Sequence, residues 1–433
     1  MKRLILLSIL LLPVCYGATI NVPADYLTIQ GAINSASAGD SIFVKEGIYS
    51  PQTNDEIFPI RMISNINLIG SGKGLTVINA LGNKENVRSV IEIINCKQTV
   101  IENLTITGGF CADNNRSRCN GGGIDMRDSD LTINNVTIKN NITEQTGGGI
   151  SLAQSHLISN YSIIEKNVAR NNWGNDYDTG RGGGISAFDS FIELINTDVL
   201  DNSANVGGGL YLFRSNYNLF SVNISDNEAT KCCWCCVDGG GGILLAENYA
   251  SDVWDFEYNS SAQYVTITGN YSDHRGGGIN YDLGYTLNLN GFTIANNHSE
   301  IEGGGIWMSG GEIIMTNSIV WNNSSPYKPE NIFWYMYSPT QIDTNSVIQY
   351  SNIEGGWADV GNINVNPSFV NTEEGNYSLQ KHSACVDGGT NFLILNGDTL
   401  LNINIDNYSG SSPDMGAHEY GYSKIINESN IKK

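Results

Sequence analysis

Two arginines, Arg181 and Arg275, each stand immediately before a glycine run, in loops that also carry acids. Those acids are Asp176, Asp178, Asp238, Asp273, Glu300 and Glu302. Clustered carboxylates can hold a hard cation such as Ca2+, and a nearby basic group can take a proton from the carbon beside a sugar carboxylate. Asp176 and Asp178 are accordingly the calcium candidates. Arg181 and Arg275, with Asp178 and Asp273, are the candidates for catalysis. The plain alternative is solvated loop charge. A second set suits recognition: the rings of Trp173, Tyr211, Trp234 and Trp307 can stack on sugars, while Asp176 and Asn280 can exchange hydrogen bonds with hydroxyls. The third set is thiol chemistry. Cys111 and Cys119 bracket a short polar loop, and Cys232, Cys233, Cys235 and Cys236 surround Trp234. Disulfides are the first reading of both groups, a soft-metal thiolate cluster the second for the Cys232–Cys236 run, and free thiols the third. Cys96 and Cys385 sit in apolar, strand-like surroundings and read as buried thiols.

The charge balance limits the partners. With 23 Lys and Arg against 44 Asp and Glu, the chain has a formal net charge of −21. That argues against nucleic acid and anionic membranes, which require clustered cations. It also makes direct binding of a polyanionic sugar awkward unless a divalent cation intervenes. Lys2 and Arg3 precede an apolar run, Leu4 to Val14, too short to span a bilayer, with small residues near Gly17. Residues 1–17 therefore read as a secretory signal. The expected location is outside the cell or on its outer surface, as a monomer with no later membrane span.

These side chains must be positioned by a repeat. Seven glycine runs each end in an aliphatic residue: Ile124, Ile150, Ile185, Leu210, Ile243, Ile279 and Ile306. A strand-like stretch follows each and ends in Asn: Asn141, Asn167, Asn202, Asn227, Asn270, Asn297 and Asn323. The aliphatic-to-Asn interval is 17 in five units, and the remaining two are 18 and 27. From Asn to the next anchor the interval is 9, 18, 8, 16, 9 and 9, so the unit is about 25 residues with insertions. Alternation with period two, as in Ile124-Asp125-Met126 and Val136-Thr137-Ile138, makes the unit β rather than helical. No single unit can bury its apolar face alone; stacked units can. The arrangement that fits is an all-β, right-handed parallel β-helix with one coil per unit, anchors and Asn column inside. Insertions gather at 109–120, 168–181 and 228–239, on one edge of the cylinder, with another at 246–263. They wall the strand face whose outward positions are Asp125, Ser151, Ser186, Tyr211, Leu244, Asn280 and Trp307. Arg181 and Arg275 fall about three coils apart, roughly 14 Å, too far for one site.

The ends carry a resemblance. Ile20 to Asn34 followed by Ala38 to Val44 resembles the capping helix and first coil of the pectin-lyase-like β-helix superfamily, with Leu27, Ile29, Ala32, Ile33 and Ala36 as the plugging face. The glycine-aliphatic units resemble β-helix repeats and, more loosely, those of polymorphic outer-membrane proteins. Asn366 to Phe369, Ser383 to Gly389 and Asp414 to Tyr420 resemble the closing coils of secreted bacterial members. The resemblance implies regular repeats over 121–323, closing coils over 324–420 and a polar tail over 421–433. It does not carry a catalytic motif. Ser50 stands where pectin methylesterases have an acid after Gly47-Ile48-Tyr49, and Asn196-Thr197-Asp198 lacks the Asp-Asp pair that polygalacturonases require. The leading expectation is recognition of a polysaccharide or cell-surface glycan, or adhesion, beside the loop-bearing edge. The competing one is a calcium-assisted polysaccharide lyase or glycosidase with a divergent site.

Overall fold

The structure is a computed structural model that describes residues 17–112, 120–170, 180–230, 239–246, 260–282, 286–327, 331–335, 346–395 and 397–421. One coil shows the plan. Ile124–Arg127 joins a ten-stranded sheet, Asp130–Asn134 a twelve-stranded sheet, Thr137–Lys139 an eleven-stranded sheet and Ile142–Thr143 a seven-stranded sheet. The chain then re-enters the ten-stranded sheet at Ile150–Ala153, directly beside its previous pass. Every strand pair between coils is parallel and in register, and the fold is the expected right-handed parallel β-helix. Three strands of the seven-stranded sheet, Phe110–Cys111, Val168–Ala169 and Glu228–Ala229, lie within the segments read as insertions. Two-residue strands are too short for periodicity to reveal.

Alternation decides what lines the interior. Ile124 and Met126, Leu131 and Ile133, then Ile138 point inward and are at most 2% exposed. Each such side chain contributes about 1.5–3 kcal/mol of apolar burial. The anchors pair as expected, Ile124 with Ile150, then Ile185, Leu210, Ile243, Ile279 and Ile306.

Corners are the harder problem, because a buried bend leaves amides without partners. The Asn column solves it at one corner. Asn141 Nδ2 donates to Asn167 Oδ1, Asn167 to Asn202, Asn202 to Asn227, Asn227 to Asn270, Asn270 to Asn297 and Asn297 to Asn323, all at 2.9–3.0 Å. Asn331 takes the last place, accepting from Asn323 at 2.9 Å. Asparagine tolerates the left-handed turn conformation, but these residues do not adopt it. The left-handed residue is instead the one before each, such as Asn140 at φ 53° or Asp201 at φ 53°. The column residue is Asn for its amide, which donates and accepts at once. Serines repeat the device at a second corner: Ser129 N–H donates to Ser155 Oγ, Ser155 to Ser190 and Ser190 to Ser215, at 3.0–3.2 Å.

The glycine runs fit an equally tight place. Gly147 has φ 71°, and a Cβ on Gly149 would stand 2.6 Å from the carbonyl oxygen of Gly184 in the next coil. Only glycine allows both.

The helix Ile29–Ser35 plugs the first coil with Ile29, Ala32 and Ile33. Leu27 does not join them and is 74% exposed. Helix start is set by Thr28, whose hydroxyl accepts from Gly31 N–H at 3.1 Å, and by Glu56, which accepts from Ile29 and Gln30. At the other end the coils run to Asn352–Ile353. Residues 366–420, read from sequence as closing coils, form two antiparallel hairpins instead, Phe369–Asn371 with Asn376–Leu379 and Phe392–Leu395 with Asp398–Asn402. This segment folds back over the outer side of the eleven-stranded sheet: Ala417 N–H donates to Thr293 Oγ1 at 2.9 Å, and Asn317 Nδ2 to Thr390 O at 2.9 Å. Ile319, Leu379, Cys385 and Met415 form a small apolar core beneath it.

Candidate functional site

The ten-stranded sheet turns two columns of side chains outward. One passes through Glu92, Asp125, Ser151, Ser186, Tyr211, Leu244, Asn280, Trp307 and Phe333. The other passes through Arg127, Ala153, Phe188, Phe213, Ala246 and Asp282. Unlike the interior, this face changes character from coil to coil.

Its first end is charged. Arg61 Nε meets Glu92 Oε2 at 2.8 Å, and Arg127 meets Asp125 Oδ2 at 2.6 Å. Asp125 is only 1% exposed. Burial, aided by the neighbouring Glu92 carboxylate, pushes its carboxyl above the usual range in spite of Arg127.

The middle is aromatic. Phe188 lies 5.6 Å from Tyr211 and 5.4 Å from Phe213, ring centre to ring centre. The Arg181 guanidinium lies over two of these rings, 5.8 Å from Phe188 and 5.6 Å from Tyr211. Tyr211, Leu244, Ala246 and Val206 bury one another, with Phe188 and Phe213 packed against them. At the far end Arg275 covers the Trp307 ring at 4.9 Å. Glu302 ties the two together, accepting from Trp307 Nε1 at 3.2 Å and facing Arg275 Nε at 3.4 Å. Tyr335 is nearly parallel to Trp307, 6.4 Å away, and is 41% exposed.

Tyr211, Asn280 and Trp307 thus share one column, as their spacing requires. They do not form an open trough: their exposures are 6%, 1% and 5%. The accessible rings among the described residues of this face are the half-buried Phe188, Phe213 and Phe333 and the exposed Tyr335, which stand beside the expected residues. The period-two pattern could have found Phe188 and Phe213, each three residues after its anchor. Glu92 precedes the first glycine run, so the repeat gave it no register. Arg181 and Arg275 belong to the coils of Ile185 and Ile279, separated by those of Leu210 and Ile243, and do not converge. Asp273 follows Tyr271–Ser272 of the seven-stranded sheet, and Asp198 sits on the eleven-stranded sheet. Trp173, Asp176, Asp178, Trp234, Asp238, Cys119 and Cys232 to Cys236 lie outside the described residues. Among the described residues no group of three or more His, Cys, Asp or Glu is placed to hold a metal ion. The free thiols there are the buried Cys96 and Cys385, as expected; Cys111 is not one of them. No described helix is long and apolar enough to cross a membrane.

Comparison with known proteins bears on the fold. No curated protein matches the chain. A family model described as a protein of unknown function, DUF1565, matches residues 18–202. Among solved structures, pectate lyase Pel9A aligns over 90% of this chain and 90% of its own at 14% identity, with a TM-score of 0.52. An exopolygalacturonase of Yersinia enterocolitica aligns over 81% and 72% at 12% identity and TM-score 0.38. A rhamnogalacturonan lyase aligns over 83% and 92% at 12% identity and TM-score 0.38. The chain therefore has the pectin-lyase-like, right-handed parallel β-helix fold that it shares with pectate lyase Pel9A.

Proposed function

We propose that the protein is exported and binds a glycan along the outer face of the ten-stranded sheet, as a monomer outside the cell or on its surface. The observation that carries this reading is the presence of two groups of rings on that face. Phe188 and Tyr211 under Arg181, with Phe213 beside them, occupy two adjacent coils. Trp307 with Tyr335 beside Arg275 occupies a second pair beyond the coils of Leu244 and Asn280, whose outward positions carry no ring. Aromatic faces match the apolar faces of pyranose rings, and the guanidinium and carboxylate groups beside them can hydrogen-bond to hydroxyls. Pectate lyase Pel9A, which shares the fold, is named for action on a polysaccharide. Lys2, Arg3 and the apolar run after them support export.

The calcium-assisted lyase reading has less support in the geometry. Arg181 and Arg275 are apart, and Arg275 is already paired with Glu302. Calcium is retained as a variable because Asp176 and Asp178 precede Arg181 closely in the sequence. The test is a glycan array with and without calcium, run beside an assay for unsaturated uronate release, on the intact chain and on Tyr335→Ala. Binding that falls tenfold or more in Tyr335→Ala, without uronate release, supports recognition. Release that is lost on replacing Arg181 or Arg275 overturns it in favour of a lyase.

A further inference from the structure

The outer side of the seven-stranded sheet carries Tyr271, His298 and Ser324 on three successive coils. His298 Nδ1 lies 2.8 Å from Ser324 Oγ, and His298 Nε2 lies 3.3 Å from Glu300 Oε1. Tyr271 O–H donates to that same Glu300 oxygen at 3.1 Å. The Tyr271 ring also stacks on the imidazole, 5.7 Å between centroids and 20° between planes. A carboxylate only accepts, so the proton of neutral His298 sits on Nε2, an assignment made from this network. Nδ1 is then a bare lone pair, and Ser324 O–H donates to it. A hydroxyl, a base and an orienting carboxylate in a chain of hydrogen bonds is the arrangement that activates a serine nucleophile, recognised by geometry rather than by order in the sequence.

We propose that Ser324, His298 and Glu300 form a site that hydrolyses carboxylic esters carried on a large, exposed alcohol. Ser324 Oγ bonds to the acyl carbon while its proton passes to His298 Nδ1. The carbon–oxygen bond to the alcohol then breaks, and the alcohol leaves with that proton. Water next attacks the acyl carbon and gives a proton to Nδ1. The bond to Ser324 breaks, that proton returns to Oγ, and the carboxylic acid is released. Glu300 and Tyr271 are positioning residues: one fixes the tautomer and steadies the imidazolium, the other fixes the plane of the ring. The Ser325 N–H, next in the chain, makes no hydrogen bond among the described residues and is the donor at hand for the oxyanion. Access suits a polymer-borne ester, because Ser324 is exposed and the His298 and Glu300 side chains are 40% and 51% accessible. This inference does not rest on the glycan reading, since it uses other residues on another sheet.

The test uses the full chain with a fluorophosphonate probe and with p-nitrophenyl acetate, circular dichroism confirming that each variant is folded. One probe molecule per chain, mapped to Ser324 by peptide mass, is expected. So is a loss of nitrophenol release of tenfold or more in both Ser324→Ala and His298→Ala. Glu300→Gln should keep a reduced rate whose pH profile moves to lower pH, whereas a purely structural role would leave the profile in place. An exposed imidazole can cleave this activated ester without a serine. Release that survives in Ser324→Ala, or a chain that takes no probe at Ser324, overturns the proposal.

Discussion

The Asn column and the outer columns of the ten-stranded sheet are built on the same coils, yet they obey opposite rules. Inside, seven successive positions are the same residue, at most 4% exposed, each bonded to the next with almost no variation in distance. Outside, successive coils pass from Asp125 through Ser151 and Ser186 to Tyr211, Leu244, Asn280 and Trp307. A stacked interior selects one answer because each coil must satisfy the hydrogen bonds of the next. An outward position has no such partner and is free to differ. Repetition therefore marks what holds the cylinder, and its failure marks where to look for chemistry.

Replacing a glycine of the stacked run breaks the inner half of that comparison most severely. Gly149→Ala places a methyl 2.6 Å from the Gly184 carbonyl oxygen and 3.0 Å from Asn167 Nδ2. The backbone must move, and a loss of about 3 kcal/mol or more is expected, measured by equilibrium denaturation. Asn202→Ala should follow closely. It removes the acceptor of Asn167 Nδ2, the donor to Ile164 O and the donor to Asn227 Oδ1, at a cost of about 2–4 kcal/mol. An equally stable Asn202→Ala would show that the column is incidental. The outer face should behave in reverse. Tyr335→Ala is expected to change stability by less than about 1 kcal/mol while weakening glycan binding tenfold, read by calorimetric titration.

The folded-back C-terminal segment sharpens the contrast, because its buried polar groups are titratable where the stacked Asn and Ser of the coil corners are not. Burial, with Asp414 and Asp387 nearby, pushes Glu419 up to about 7, and Asp414 is raised as well. A carboxyl raised on folding stabilises the segment below its ordinary value of 4.5, and that contribution is lost as pH climbs through 7. His418, beside Thr266, is lowered by burial, so its contribution is lost as pH falls below 6.5. Protection factors across 366–420, from hydrogen exchange corrected for the intrinsic pH dependence of amide exchange, should be highest in mildly acidic buffer and fall on both sides, with those of the coils little affected. Glu419→Gln should remove most of the alkaline limb. A limb that survives this change would place the effect elsewhere.

Much of this was legible in the chain. Intervals of 17 residues located the anchors and the Asn column, because a hydrogen-bonded stack imposes its period on the sequence. The helix cap was legible too, except that Leu27 does not join its buried face. What escaped had no period or too little length. The seven-stranded sheet has two residues per strand. The serine corner lies in turns where serine is unremarkable, and the hairpins of 366–420 belong to no repeat. The outward columns were legible as positions, but not as covered or open.

By itself, then, the sequence determined the coil: its length, its inward residues and the corner amides, all consequences of nearest-neighbour stacking. Tertiary structure alone decided which outward groups meet. Arg275 reaches Trp307 and Glu302 at one site while Arg181 does not approach it. Tyr271, His298, Glu300 and Ser324 join because three coils stack them at strand spacing. Distances of that kind depend on how far apart coils lie in space, which no spacing along the chain records.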